Sequence, residues 1–313
     1  MRHFTHFSAR WRFHLVMAAA CGCLFLCGTT YSLVHHFPLD IGANVVLVVI
    51  TMAVTSPLAL YYRNKNQLER MEAILTIPWC IIFGLCIISI VGASARIHFP
   101  LRDIDYGAFD SMLGVSVPAI RQWSLHHEGG RIANASYPLL NWFVLAALFV
   151  PALAGRGIAA KSFLLANVIA FAISIPIFTL WPAIGPWYAF HSPASPSQLG
   201  LQREILSLRN GAFRALHVAG IVCFPSFHVI WAILAAWSLS TFRPMRIPAA
   251  ILCTLVICST LTTGWHYFCD VLSGCLIGVI SLLGARVLEC MIRPKVAENL
   301  PENVPTQPEC AIP

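Results

Sequence analysis

Apolar segments of near twenty residues recur along this chain, roughly at 14–34, 43–61, 74–95, 137–154, 162–182, 225–241, 247–264 and 268–290. A stretch of that length with few charges crosses the roughly 30 Å hydrocarbon core of a bilayer, where a spanning segment must satisfy its backbone polar groups internally. The pattern predicts an all-α, polytopic membrane helix bundle of about eight transmembrane helices. Composition excludes a soluble alternative, because 58% of the 313 residues are hydrophobic and only 11% are charged, too little polar surface for a water-exposed fold. The first segment follows Arg2, Arg10 and Arg12, as a signal peptide would. Its apolar run is too long for one and no small-residue cleavage site follows, so it is expected to be a retained span.

Basic residues in short loops stay on the cytoplasmic side. With the N-terminus inside, that side collects Arg2, Arg10, Arg12, Arg63, Lys65, Arg70, Arg156, Lys161, Arg243, Arg246, Arg286, Arg293 and Lys295, while the seven arginines of the other side lie in or beside the two longest loops, 96–136 and 183–224. The net charge of +7 is explained by this bias, and no basic stripe interleaved with aromatics points to nucleic acid. The twelve cysteines fall mostly inside spans without a CxxC pair, where they act as small hydrophobes. The stretch from Pro294 onward, rich in Pro, Glu and Asn, reads as a disordered tail.

The two long loops differ in character. Residues 99–133 carry Asp103, Asp105 and Asp110 with apolar partners at helical spacing, which suits short amphipathic helices on the membrane surface. The segment 183–224 opens with Gly185-Pro186-Trp187-Tyr188, turns through a Ser/Pro cluster and continues as a polar, helix-like run from Gln202 to Leu216 holding Arg203, Arg209 and Arg214.

Pro225-Ser226-Phe227-His228 opens one apolar segment, and His266-Tyr267-Phe268-Cys269-Asp270 opens another. Ionisable groups in membrane segments are costly and mark functional sites. The i, i+4 spacing of His266 and Asp270 puts both on one helix face, where a carboxylate can orient an imidazole. Proline is favoured at the first helical turn, so Pro225 is expected to start its helix and leave free N–H groups near Ser226 and His228, an anion site. Gly264 lets the chain reverse, bringing both histidines to the same side. Two histidines and an aspartate at helix mouths are what phosphoryl transfer through a phosphohistidine needs. The lone histidines His35, His36, His126, His127 and His217 receive no such role.

Pro225-Ser226-Phe227-His228 resembles the Pro-Ser-Gly-His type motif of the type 2 phosphatidic acid phosphatase superfamily, and His266-x-x-x-Asp270 resembles the end of its third motif. Gly185-Pro186-Trp187-Tyr188 and the Phe224-Pro-Ser-Phe-His form are closest to the inositol phosphorylceramide synthase branch and its bacterial relatives. The resemblance covers roughly 74–290 and implies a six-helix phosphatase-like core preceded by two further helices (1–73) and followed by a disordered cytoplasmic tail (291–313). It implies a lipid phosphatase or phosphotransferase that needs no metal or cofactor, with His266 as nucleophile, Asp270 orienting it and His228 as general acid. Ser259 and Thr260 stand where the phosphatase branch has Ser-Arg, and no lysine, six residues, arginine-proline motif occurs: Lys161 is followed at the required position by Val168. The phosphate is therefore assigned to Ser226, Arg209 and Arg214.

The substrate implied is a membrane lipid phosphoester, cleaved with transfer to water or a lipid alcohol on the periplasmic face of a bacterial inner membrane. A multi-span transporter using His266 and Asp270 as a proton relay is the alternative. A relay belongs near mid-membrane on broken helices, whereas these residues sit at helix starts. A metal site lacks a fourth ligand beside His228, His266 and Asp270 at suitable spacing.

Overall fold

The computed structural model describes residues 2–34, 41–211 and 223–292, and among them every regular element is helical. In chain order the α-helices are α1 (Arg2–Val34), α2 (Ile41–Asn64), α3 (Leu68–Ile74), α4 (Thr76–Ala95), α5 (Asp103–Met112), α6 (Val117–His126) and α7 (Glu128–Ser136). They continue with α8 (Leu140–Leu153), α9 (Gly157–Leu180), α10 (Pro186–Ala189), α11 (Pro196–Arg209), α12 (Phe227–Ser240), α13 (Arg246–Thr262) and α14 (Phe268–Ile292). Short 3₁₀ turns at Tyr137–Leu139 and Arg243–Met245 lead into α8 and α13.

Seven stretches of helix among the described residues are long and apolar enough to cross a membrane. They are Trp11–Tyr31, Val45–Asn64, Leu68–Ala95, Glu128–Leu153, Gly157–Leu180, Arg243–Thr262 and Phe268–Met291. The protein is an integral membrane protein built as an all-α bundle. Two differences from the sequence expectation have physical causes. The span expected at 137–154 begins earlier, at Glu128, because α7 runs through the 3₁₀ turn into α8. The segment expected to cross at 225–241 is α12, whose 14 residues cover only about 21 Å. It is packed among α8, α9, α13 and α14, and its Val229, Ile230, Ala232, Leu234 and Ala235 are fully buried. Its apolar side chains face protein on several sides rather than lipid, so periodicity alone could not separate it from a span.

The helix α9 lies at the centre, against α3, α4, α8, α12 and α14. The two N-terminal helices join through α4, with α1 also touching α9 and α14. One end of the bundle is stitched by polar contacts: Lys161 pairs with Glu72 and sits 5.2 Å from the Phe13 ring, and Ser162 bonds Glu289. Trp79 donates to His14 at 2.8 Å. Arg12 reaches the Met291 carbonyl at 3.5 Å, so this end is where α14 finishes. His266 lies just before α14 starts, 25 residues of helix away, about 37 Å.

Two connections form helices at the His266 end. Residues 99–133 fold as α5, α6 and the start of α7, and 183–211 as α10 and α11. The helix α11 starts at a capping box, Ser195 with Gln198, and stops at Asn210 before Gly211. The polar run expected from Gln202 to Leu216 therefore begins earlier, at Pro196, and its end after Gly211 lies outside the described residues.

Candidate active site

The site is assembled where α12 and α14 begin. Ser226 is the N-cap of α12, accepting the Val229 N–H on Oγ at 3.4 Å. Pro225 thus precedes the cap instead of occupying the first helical turn. The Ser226 N–H donates to the Asp270 carbonyl at 3.2 Å, tying the two helix starts together. Gly274 permits that approach: a Cβ there would fall 2.8 Å from the Ser226 carbonyl oxygen and 2.9 Å from Val229 Cβ. With the backbones this close, His228 in the first turn of α12 faces His266.

Gly264 has φ +73°, the left-handed conformation glycine adopts without strain, and it turns the chain out of α13. His266 follows, its N–H bonded to the Thr260 carbonyl at 3.2 Å. It therefore precedes α14 rather than lying on a helix face with Asp270. Asp270, at the third helical position, turns back to accept the Tyr267 N–H at 2.8 Å, one half of a capping box. The same Oδ2 is 3.3 Å from His266 Nδ1, which also lies 3.0 Å from the Cys223 carbonyl. Two acceptors at Nδ1 assign the proton there, leaving the lone pair on Nε2. Nε2 is 3.4 Å from His228 Nδ1. Burial pushes the His266 imidazole down to about 4, against the opposing pull of the Cys223 carbonyl, so it is neutral at physiological pH.

His228 is held from its other side. The Tyr137 ring stacks on it at 4.2 Å, with the Tyr137 hydroxyl 3.5 Å from Nδ1. Trp265 lies beyond Tyr137, and Trp187 meets Trp265 edge-on at 5.5 Å, so the Gly185–Tyr188 segment walls the site.

The most consequential residues missed by sequence reasoning are Asp103 and Asp110. Seven positions apart on α5, both are buried, while Asp105 between them pairs with Arg102 at the surface. Asp110 accepts the N–H groups of Phe268 and Cys269 at 2.7 and 2.9 Å, capping α14 from another helix. Asp103 accepts from the Ile184 and Gly185 N–H groups and from the Tyr267 hydroxyl at 2.9 Å. Burial raises both carboxyl pKa values, with these donors acting the other way. The available signal was two aspartates on one face of a short helix in a chain poor in charge.

Of the expected phosphate contacts, Ser226 stands beside the histidine pair. The Arg209 guanidinium instead bonds the carbonyls of Ile97 and Phe99, anchoring the end of α11. Arg214 lies outside the described residues. Arg121, on α6, packs across Gly264, with Cδ 2.8 Å from where a Cβ would sit, and bonds the Pro193 carbonyl. Ligand-type atoms of Cys223, His266 and Asp270 lie within 4.8 Å of one another, a trio hidden in the sequence because Cys223 is distant along the chain.

A family model described as the PAP2 superfamily matches residues 107–284, more than half of the chain. The match runs from α5 into α14 and includes Asp110, Cys223, His228, His266 and Asp270. No curated protein and no solved structure matches the chain.

Capping from α5 carries a measurable consequence. Losing a cap and stranding buried N–H groups costs about 1–3 kcal/mol, whereas an exposed ion pair contributes little. Asp110→Ala is therefore expected to lower the thermal unfolding midpoint in detergent micelles clearly, and Asp105→Ala hardly at all. Equal midpoints for the two variants would refute the capping role.

Proposed function

This chain belongs to the PAP2 superfamily, and from that premise we propose that it cleaves a membrane lipid phosphoester through a phosphohistidine on His266. One observation carries the reading: His266 Nδ1 is turned to Asp270 while Nε2 faces His228. The Nε2 lone pair attacks phosphorus, the bond from phosphorus to the lipid alcohol oxygen breaks, and His228, which burial pushes down to about 3 before substrate binds and which the bound phosphate anion draws back to its protonated form, delivers a proton to that oxygen. In the second step water or another alcohol attacks the phosphohistidine, its proton passes to His228, and the P–N bond breaks to return the lone pair to Nε2. Splitting one displacement into two easier ones is what a covalent intermediate contributes. Admitting phosphorus requires the 3.4 Å contact between the histidines to open.

Transfer to a lipid alcohol, as in inositol phosphorylceramide synthases, is the finer form of the proposal. Its support is the Gly185-Pro186-Trp187-Tyr188 segment, which walls the site, and Ser259-Thr260 in place of Ser-Arg. Ser226 and the start of α12 supply phosphate donors, since an N-cap hydroxyl keeps its own proton to give. Arg209 would first have to leave the Ile97 and Phe99 carbonyls. The transporter alternative is not retained, because His266 and Asp270 lie at the start of α14 and not at its middle. The catalytic unit is taken as 74–290, with α1, α2 and nearly all of the short α3 in 1–73 and a tail over 291–313, whose residues beyond Ile292 lie outside the described ones.

The roles separate by variant. His266→Ala is expected to abolish turnover and the covalent intermediate formed from labelled substrate. His228→Ala should cost about 10²- to 10⁴-fold, most for poor leaving groups, and Asp270→Asn should keep the fold and lose most activity. Turnover should survive EDTA, because the proposed mechanism routes no step through a metal. A panel of phospholipids, polyprenyl phosphates and ceramide, read for free phosphate and for head-group transfer, identifies donor and acceptor. Full labelling of the His266→Ala protein would remove this mechanism.

Protonation removes the Nε2 lone pair, and burial has lowered the His266 pKa from 6.5 to about 4. Activity is thus present above that value and lost as pH falls through it. The acid limb of kcat/KM is expected well below pH 6.5; a limb at or above 6.5 would contradict a buried neutral nucleophile.

We further propose a bacterial inner-membrane location with the histidines on the periplasmic face. Arg12, Arg70, Arg156 and Lys161 gather at the opposite end of the bundle, where basic residues favour the cytoplasm. In a cysteine-depleted background, an impermeant maleimide applied to intact cells should label a cysteine replacing Asp105 and spare one replacing Lys65. The reverse pattern would invert the topology.

A further inference from the structure

Cys223 lies four residues before α12 and its thiol does not feature in the proposed chemistry, yet its Sγ lies 3.2 Å from Asp270 Oδ2, the oxygen that is also 3.3 Å from His266 Nδ1. All three ligand atoms fall within 4.8 Å of one another and all three residues are buried. The 3.3 Å separation of nitrogen and oxygen matches the edge of about 3.3–3.4 Å for a tetrahedron with Zn–N and Zn–O near 2.0–2.2 Å, and the 3.2 Å separation of sulfur and oxygen needs only a few tenths of an ångström of outward movement to reach the edge of about 3.5–3.7 Å set by Zn–S near 2.3 Å. Thiolate, imidazole and carboxylate are all ligands of zinc, and the soft sulfur selects against Mg²⁺ and Ca²⁺. The supporting contacts are present as well: the Tyr267 N–H fixes Oδ2 from 2.8 Å, as the outer partners of metal ligands do.

We propose that Cys223, His266 and Asp270 form a binding site for a borderline-soft divalent cation of the Zn²⁺ class, and that its occupancy switches the enzyme off. The inhibitory half rests on the proposed role of His266 as nucleophile. The metal takes the Cys223 sulfur as thiolate, whose proton leaves to solvent, and binds the Nδ1 lone pair of the other imidazole tautomer. The ring proton then sits on Nε2, the nitrogen that faces His228, which has no lone pair left for phosphorus. The cation acts from behind the ring and need not occupy the space of the phosphate. Sequence reasoning dismissed a metal because it sought a fourth ligand beside His228; the fold instead supplies a thiol, and water completes the set.

The test uses full-length protein, stripped with EDTA in detergent micelles and then exposed to ZnCl₂ or MgCl₂. One zinc per chain is expected to persist through gel filtration, with X-ray absorption showing one sulfur among nitrogen and oxygen ligands, and magnesium should not persist. Cys223→Ser and Cys223→Ala should weaken zinc affinity roughly tenfold or more, while Cys269→Ser, altering the thiol 3.8 Å from the other Asp270 oxygen, should keep it. Zinc should suppress wild-type turnover reversibly, and the Cys223 variants, each measured against its own metal-free rate, should resist it. Failure to retain zinc, equal affinity in wild type and the Cys223 variants, or bound zinc with undiminished turnover would each overturn the proposal. If metal-free protein turns over no lipid phosphoester at all, the functional reading fails, and zinc retention still decides whether the site exists.

Discussion

The start of α14 presents backbone N–H groups at a buried end of the bundle, and the residues before it, Gly264-Trp265-His266-Tyr267, contain no capping side chain. An unmet buried donor costs about 1–3 kcal/mol. The fold meets this with two carboxylates: Asp110 takes the N–H groups of Phe268 and Cys269, and Asp270 takes that of Tyr267. The position of His266 follows from that solution. Asp270 Oδ2 is held by the Tyr267 N–H at the distance where it also faces His266 Nδ1, so capping the helix and setting the imidazole tautomer are the same arrangement. Asp103 extends it by tying Tyr267 to the backbone of Ile184 and Gly185.

A second constraint is the closeness of α12 and α14. Gly274 removes the side chain that would block contact, and the Ser226 N–H to Asp270 carbonyl bond closes the seam. The short α12 then sits inside the bundle with its first turn level with the start of α14. The outer helices press the same region from the other side: Gln198 of α11 donates to the carbonyls of Thr263 and Gly264, and Ser124 of α6 donates to that of Thr262. The segment 262–270 is thus gripped by α5, α6 and α11, which makes these loop helices parts of the site rather than a cover over it.

Three carboxylates this near a proposed phosphate site would repel it if they faced it unpaired. Each is engaged instead: Asp103 by three donors, Asp110 by two, and Asp270 by Tyr267, Cys223 and His266. Charge is treated in the same way at the far end, where Glu72 meets Lys161. In both places ionisable groups stay buried because a partner is within reach, which burial in a low-dielectric interior demands.

By itself the sequence determined the solvent, the helical class and two of the motifs, since runs of near twenty apolar residues admit few other solutions and His266 with Asp270 is a local signal. Local signals also foretold Gly264 as a turn. What only the tertiary structure decided is everything that depends on distant partners. Asp110 caps a helix 158 residues away, Cys223 reaches Asp270 across 47, and Tyr137 stacks on His228 across 91. The depth of α12 was equally hidden, because a buried helix and a lipid-facing one are both apolar. Arg209 looked suited to a phosphate because it lies just upstream of Pro225 with Gly211 beside it to turn the chain; its guanidinium went to the carbonyls of Ile97 and Phe99, a choice made by packing and invisible in spacing.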